Sequence, residues 1–140
     1  MAYLTKISDL EPSLMNEDPE KIYIPKVLLE HNDFKGLKFK AKVLYSFLLN
    51  RLREPLDFIH KGYDGNGATY VQFKIAELCE LLNQSKQTVI SLKKQLAQYG
   101  LIEEVKVGRN QPNRIYLTDK LISYVKEWNF LFVFSWTRGV

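Results

Sequence analysis

The sequence predicts a mostly α-helical domain with a small antiparallel β-sheet, arranged as a winged helix-turn-helix. Three observations predict it. Residues 73–117 read in order as helix, tight turn, helix, glycine stop and two-stranded hairpin. The second of these helices carries an outward face without acidic residues. The hairpin ends in a polar, basic tip.

The elements follow in chain order. Residues 1–20 hold Lys6 against Asp9, Glu11, Glu17, Asp18 and Glu20, a net −4. Such a segment is expected as a flexible acidic arm, although Leu4, Ile7, Leu10 and Leu14 have the spacing of a short amphipathic turn. Lys21 to Ile24 reads as a strand that stops at Pro25, and Lys26 to Glu30 as a helical turn ended by His31-Asn32-Asp33. Phe39 to Arg53 is the strongest helix: Ala41, Leu44, Tyr45, Leu48 and Leu52 form one apolar stripe, and Val43, Phe47 and Leu49 add apolar surface outside it. A helix apolar on more than one side is deeply buried or shared with a partner. Glu54 to Ala68 is expected as a loop containing the turn Asp64-Gly65-Asn66-Gly67. Thr69 to Phe73 reads as a strand of the small sheet.

Ile75, Leu78, Cys79 and Leu82 make the stripe of a short helix, which Asn83-Gln84 ends. Ser85 is placed to cap a second helix by accepting an orphan backbone N–H. In that helix Val89, Leu92 and Leu96 share a face with Tyr99 at its edge, and Gly100 supplies the C-terminal stop. Lys86, Gln87, Ser91, Lys94 and Gln98 lie opposite at about 100° per residue. A merely solvated face normally mixes signs, with Glu and Lys four apart. A face of Lys, Gln and Ser instead supplies donors for phosphates and for base edges in a major groove. Leu101 to Val107 reads as a strand, Gly108-Arg109-Asn110-Gln111-Pro112-Asn113 as a turn, and Arg114 to Leu117 as the returning strand. Arg109 and Arg114 flank the tip, where a wing reaches phosphate or the minor groove; otherwise they only keep a hairpin soluble. Thr118-Asp119 starts a short helix to Tyr124 or Val125. The aromatic run Phe130 to Trp136 has the character of an interface strand: it packs on the domain, seals a dimer, or is the remnant of a longer chain. The chain thus divides into the arm 1–20, a DNA-binding domain 21–118, and a C-terminal helix and tail 119–140.

Charge placement supports the reading head. The 140 residues carry 20 Lys+Arg against 16 Asp+Glu, a modest +4. Residues 85–114 alone hold six basic residues and two acids, Glu103 and Glu104, so +4. With 46% hydrophobic residues the chain can bury a real core. Its one cysteine, Cys79, excludes an internal disulfide and a cysteine-based zinc cluster, and its place on the stripe predicts a buried thiol. The N-terminus lacks a secretory signal pattern. No apolar stretch approaches the roughly 20 residues of a membrane span, and a cytosolic protein without membrane contact is expected.

Enzymatic readings find little support. His31 with Asp33, or His60 near Asp57 and Asp64, lacks the helical His spacing of zinc sites. Asp64-Gly65-Asn66-Gly67 lacks the ligand spacing and terminal Glu of a calcium loop. No glycine-rich phosphate loop is present. No catalytic residue, metal or cofactor is expected.

From about Ile22 to Leu117 the chain resembles the N-terminal domain of RepA_N-type plasmid replication initiators of Gram-positive and related bacteria. Four pieces carry the resemblance: Tyr23 to Leu29; Phe34-Lys35-Gly36-Leu37 with Ala41 to Tyr45 and Leu48 to Leu52; Glu77 to Thr88; and Gly100 to Glu104 with Pro112 to Tyr116. It implies a non-catalytic, sequence-specific double-stranded DNA-binding domain that forms a homodimer on origin repeats and helps to recruit host replication proteins. By the same similarity Ser85, Lys86, Gln87, Thr88, Ser91 and Lys94 fall on the recognition helix, and Arg109, Asn110, Gln111, Asn113 and Arg114 on the wing. Initiators of this type usually continue into a second, host-interacting domain, so a short form binding the origin as a competitor or autoregulator is an alternative. So are a winged-helix transcriptional regulator and a protein-binding winged helix.

Overall fold

The fold is built around a helix that is buried along most of its length. In the computed structural model, which describes residues 3–6, 21–125 and 132–135, helix α2 (Phe39–Arg51) follows β1 (Lys21–Ile24) and α1 (Lys26–Glu30). Every residue of α2 from Ala41 to Leu49 is buried. Leu44, Leu48 and Leu49 are fully so, and burying each such side chain contributes about 1.5–3 kcal/mol. Val43, Phe47 and Leu49, the apolar residues outside the main stripe, are taken up by this chain's own core. Of the two expectations for that helix, deep burial holds and a partner on that face is not required.

The remaining elements are β2 (Lys61–Tyr63), β3 (Thr69–Gln72), α3 (Ile75–Leu82), α4 (Lys86–Gln98), β4 (Ile102–Val105), β5 (Arg114–Leu117), α5 (Ile122–Val125) and β6 (Phe132–Ser135). Among the described residues the four-stranded sheet has the order β2-β3-β5-β4, antiparallel throughout, and β1 pairs separately with β6. Strand takes a larger share than expected, because β2 adds to the anticipated sheet, and the expected strand β1 finds its partner in β6 rather than in that sheet.

Strand β2 corrects the reading of Glu54 to Ala68 as loop. Lys61-Gly62-Tyr63 has no local strand signature; backbone pairing to β3 makes it one, with Gly62 opposite Tyr70. A Cβ at Gly62 would lie 2.6 Å from the Tyr70 hydroxyl oxygen, so the close approach requires glycine. Asp57 organises the approach: its Oδ1 accepts the amides of Ile59, His60 and Lys61 at 2.8–3.0 Å, and its Oδ2 accepts Arg51. The expected turn joins β2 to β3, with Asp64 Oδ1 accepting the amides of Asn66 and Ala68 at 2.9 Å.

At the chain's start, part of the expected flexible arm is instead docked. Leu4 is buried, its amide donates to the Leu117 carbonyl at 2.9 Å, and Tyr3 bridges to Thr118. An apolar leucine beside the end of β5 finds both burial and a backbone partner there. Ile7, Leu10 and Leu14 lie outside the described residues. The C-terminal helix begins at Ile122 rather than Thr118, because Thr118 is held by Leu101 and Gly100 carbonyls. Within the aromatic run, Phe132 to Ser135 pairs with β1, Ile24 opposite Phe132; Phe130, Leu131 and Trp136 lie outside the described residues.

Candidate nucleic-acid interface

The turn between α3 and α4 is set by three consecutive residues. Leu78 and Leu82 anchor α3 in the core. Cys79, expected to be buried, is only half-buried, because it sits at the margin of the stripe and packs on the core from the edge. Asn83 adopts the left-handed region at φ +52°, a conformation asparagine tolerates. The Gln84 amide then reaches back to the Cys79 carbonyl. Ser85 caps α4 as anticipated, accepting the Thr88 amide at 3.2 Å and donating to the Thr88 hydroxyl at 2.9 Å.

Helix α4 buries Val89, Leu92 and Leu96. It ends in the paired pattern of a glycine cap: Gly100 (φ +73°) donates to Ala97 and Leu101 to Leu96, each at 3.0 Å. The opposite face is open to solvent. Ser85, Lys86, Gln87, Ser91, Lys94 and Gln98 are all exposed, while Thr88 is half-buried by its cap bond. Among the described residues no carboxylate pairs with Lys86 or Lys94. The face is not wholly polar, since Ile90 is also exposed.

Two contacts hold α4 and the turn before it against the start of α2: the Lys38 amide donates to Gln95 Oε1 at 2.8 Å, and Lys40 Nζ to Gln84 Oε1 at 3.0 Å. A third holds it against the hairpin. Lys93 Nζ meets Glu104 Oε2 at 2.7 Å, and Asn113 Nδ2 donates to the same oxygen at 3.2 Å. The acids of the hairpin are therefore engaged: Glu104 by these two groups, Glu103 by the Tyr3 hydroxyl. In the sequence Lys93 is only one of the six basic residues between positions 85 and 114; its ion pair is invisible without the fold.

The hairpin pairs Val105 with Arg114, leaving Lys106 to Asn113 as the connection. Arg109, Asn110 and Gln111 are exposed at its end, with Asn110 at φ +65°. Asn113 and Arg114 are half-buried. The Arg114 guanidinium lies 4.4 Å from the Tyr70 ring centroid, a cation–π contact on the sheet. Gln72 Nε2 donates to the Pro112 carbonyl at 2.9 Å and pins the hairpin's connection to β3. The tip thus presents Arg109 rather than an arginine pair.

The histidines keep neighbours that the sequence suggested, His31 beside Asp33 and His60 beside Asp57, and His60 gains a closer one. His60 Nε2 lies 2.6 Å from Glu77 Oε2, with Asp57 at 3.9 Å. Burial opposes ionisation of Glu77, but the Lys74 amide and His60 outweigh it and hold the carboxyl below its ordinary value. His31 Nδ1 accepts the Asp33 amide at 3.0 Å. Among the described residues no group of three or more His, Cys, Asp or Glu is placed to hold a metal ion, and no helix is long and apolar enough to cross a membrane.

The exposed face of α4, bearing Lys86, Gln87, Ser91 and Lys94, thus lies beside a hairpin with Arg109 exposed at its end. The chain belongs to the family described as Replication initiator protein A (RepA) N-terminus, whose model matches residues 21–128; the resemblance read between Ile22 and Leu117 is thereby established. A "41 kDa protein" of Lactobacillus helveticus is 35% identical over 99 residues, covering 66% of this chain and 28% of its own length. The chain therefore spans little more than a quarter of that relative. Three solved structures are similar: "Structure of Rep-DNA complex" (28% identity, TM-score 0.59, covering 77% of this chain and 79% of that one); "N-Terminal domain of DNA binding protein" (26%, 0.59, 84% and 89%); and "Structure of MDR initiator" (25%, 0.56, 76% and 80%).

Proposed function

We propose that this chain is a winged-helix domain that binds specific sequences of duplex DNA at a plasmid origin, as part of a replication initiator. The observation that carries the reading is the exposed face of Lys86, Gln87, Ser91 and Lys94, unopposed by acid and flanked by Arg109. In this reading α4 enters the major groove with its N-terminal turn leading. Gln87 and Ser91 read base edges, and Lys86 and Lys94 hold the backbone. Arg109, Asn110 and Gln111 reach phosphate or the minor groove beside it. Asn113 and Arg114 shape the wing from within. The domain is non-catalytic, needs no cofactor, works in the cytosol as a homodimer on repeated sites, and meets host replication proteins through the larger assembly. The similarity to a Rep–DNA complex supports the choice of ligand, and the family supports the choice of process over transcriptional regulation.

Selection of bound oligonucleotides from random DNA, mapped on the source replicon, tests it: a motif repeated at the origin is expected, and a motif confined to a promoter argues for a regulator. Lys94→Ala is expected to flatten the slope of log affinity against log salt by about 0.9 without changing the preferred sequence. An unchanged slope refutes the role given to Lys94.

A further inference from the structure

Residues 34–53 contain six basic residues and no acid: Lys35, Lys38, Lys40, Lys42, Arg51 and Arg53. The fold sets part of this run beside the reading face. A cleft of about 650 Å³ opens between α2 and α4, lined from α2 by Lys38, Phe39 and Lys40 and from α4 by Gln87, Thr88 and Ser91. Phe39 is 57% exposed at its rim. The two walls are fixed to each other by the Lys38 amide on Gln95 and by Lys40 on Gln84. Lys40 keeps further N–H donors after that bond, since an ammonium has three. No described ion pair involves Lys35, Lys38, Lys40 or Lys42. Burial, and then the neighbouring Lys35 charge, hold the Lys42 ammonium below the ordinary lysine range.

We propose that this cleft seats the sugar–phosphate backbone of the duplex, with Lys38 and Lys40 as phosphate ligands and Phe39 against the sugar edge. The inference rests on the reading of α4 as the groove-entering helix, and it extends the contact surface to an element outside the helix-turn-helix and its hairpin. Continuity decides the occupant. Gln87 and Ser91 belong both to the reading face and to the cleft, so a duplex docked on them runs its backbone past Lys38 and Lys40. The charge is complementary to a polyanion, and an open groove with an aromatic rim suits a passing strand better than a small anion. These contacts position the duplex and carry no sequence information of their own.

The test uses the whole chain and a duplex selected by it. Affinity is measured between 50 and 200 mM salt for the wild type, for Lys38→Gln/Lys40→Gln, and for Lys26→Gln, whose charge is already matched by Glu30 at 3.8 Å. Each lost phosphate contact lowers the slope by about 0.9. The double variant is therefore expected to lose about 12-fold less affinity than the wild type over that fourfold rise in salt, with its preferred sequence unchanged, and Lys26→Gln to match the wild type. A wild-type slope in the double variant overturns the proposal while leaving the α4 reading intact. A wild type that binds no duplex overturns both. Should loss of the Lys40–Gln84 bond unfold the double variant, Lys38→Gln alone serves, because Lys38 is tied to α4 through its backbone. It is expected to flatten the slope by about 0.9, and an unchanged slope overturns the proposal.

Discussion

The ion pair between Lys93 and Glu104 makes a prediction that joins stability to DNA affinity with opposite signs. It ties α4 to the hairpin at 2.7 Å, with side chains only 14% and 24% exposed. Fully exposed pairs contribute about 0.2–1 kcal/mol. This one is largely shielded from solvent, and its acceptor oxygen also takes Asn113, so a coupling near 1 kcal/mol is expected, the top of that range. A double-mutant cycle of Lys93→Met and Glu104→Gln, read by urea unfolding, measures it. Glu104→Gln alone is expected to lower the melting temperature by about 3–5 °C. The same substitution removes a negative charge from the side proposed to face DNA and releases Lys93. If the released ammonium reaches a phosphate, the salt slope steepens by about 0.9. A coupling indistinguishable from zero would refute the claim that this contact orients helix and hairpin. A steeper slope absent despite a measured coupling would mean that Lys93 does not face the duplex when freed.

Three further outcomes are expected. The Tyr45 hydroxyl is buried with no partner among the described residues, and burial pushes its pKa upward; Tyr45→Phe should therefore be neutral or stabilising by about 1 kcal/mol, and a clear loss in chemical denaturation would reveal a missed partner. Gly100→Ala places a side chain at φ +73° and is expected to cost about 1 kcal/mol in the same assay, whereas an unchanged midpoint would deny the glycine cap its role. At Asp57, burial opposes ionisation, but the amides of Ile59, His60 and Lys61 and the Arg51 charge outweigh it and hold the carboxyl well below the usual range. A carboxyl depressed in the folded state stabilises fully above the unfolded value near 4 and loses that contribution as pH falls further. The effect is moderated by the partial exposure of Asp57. Asp57→Asn should therefore reduce stability at pH 7 and weaken its decline below about pH 4; identical acid profiles for variant and wild type would contradict this.

What was readable in the linear chain was what short-range physics encodes. The stripe Val89, Leu92, Leu96 places α4, Ser85 and Gly100 bound it, and the same periodicity leaves Lys86, Gln87, Ser91 and Lys94 outside; their exposure follows from 3.6 residues per turn alone. The core helix from Phe39 was equally plain, because its apolar residues exceed one stripe. Family likeness added the process proposed for such a surface, which no periodicity contains. Other features depended on partners far along the chain. Lys61-Gly62-Tyr63 is a strand only because Thr69 to Val71 lies beside it. Leu4 is core only because Leu117 offers a carbonyl. Lys93 is neutralised by Glu104, Arg114 is drawn onto Tyr70, and the lysines beginning α2 come to the reading face only through Gln84 and Gln95. Helical faces and caps are local consequences of backbone geometry, so the sequence alone determined them. Strand pairing, ion pairing and the joining of two basic segments into one surface are set by distances between remote residues, and those the tertiary structure decided.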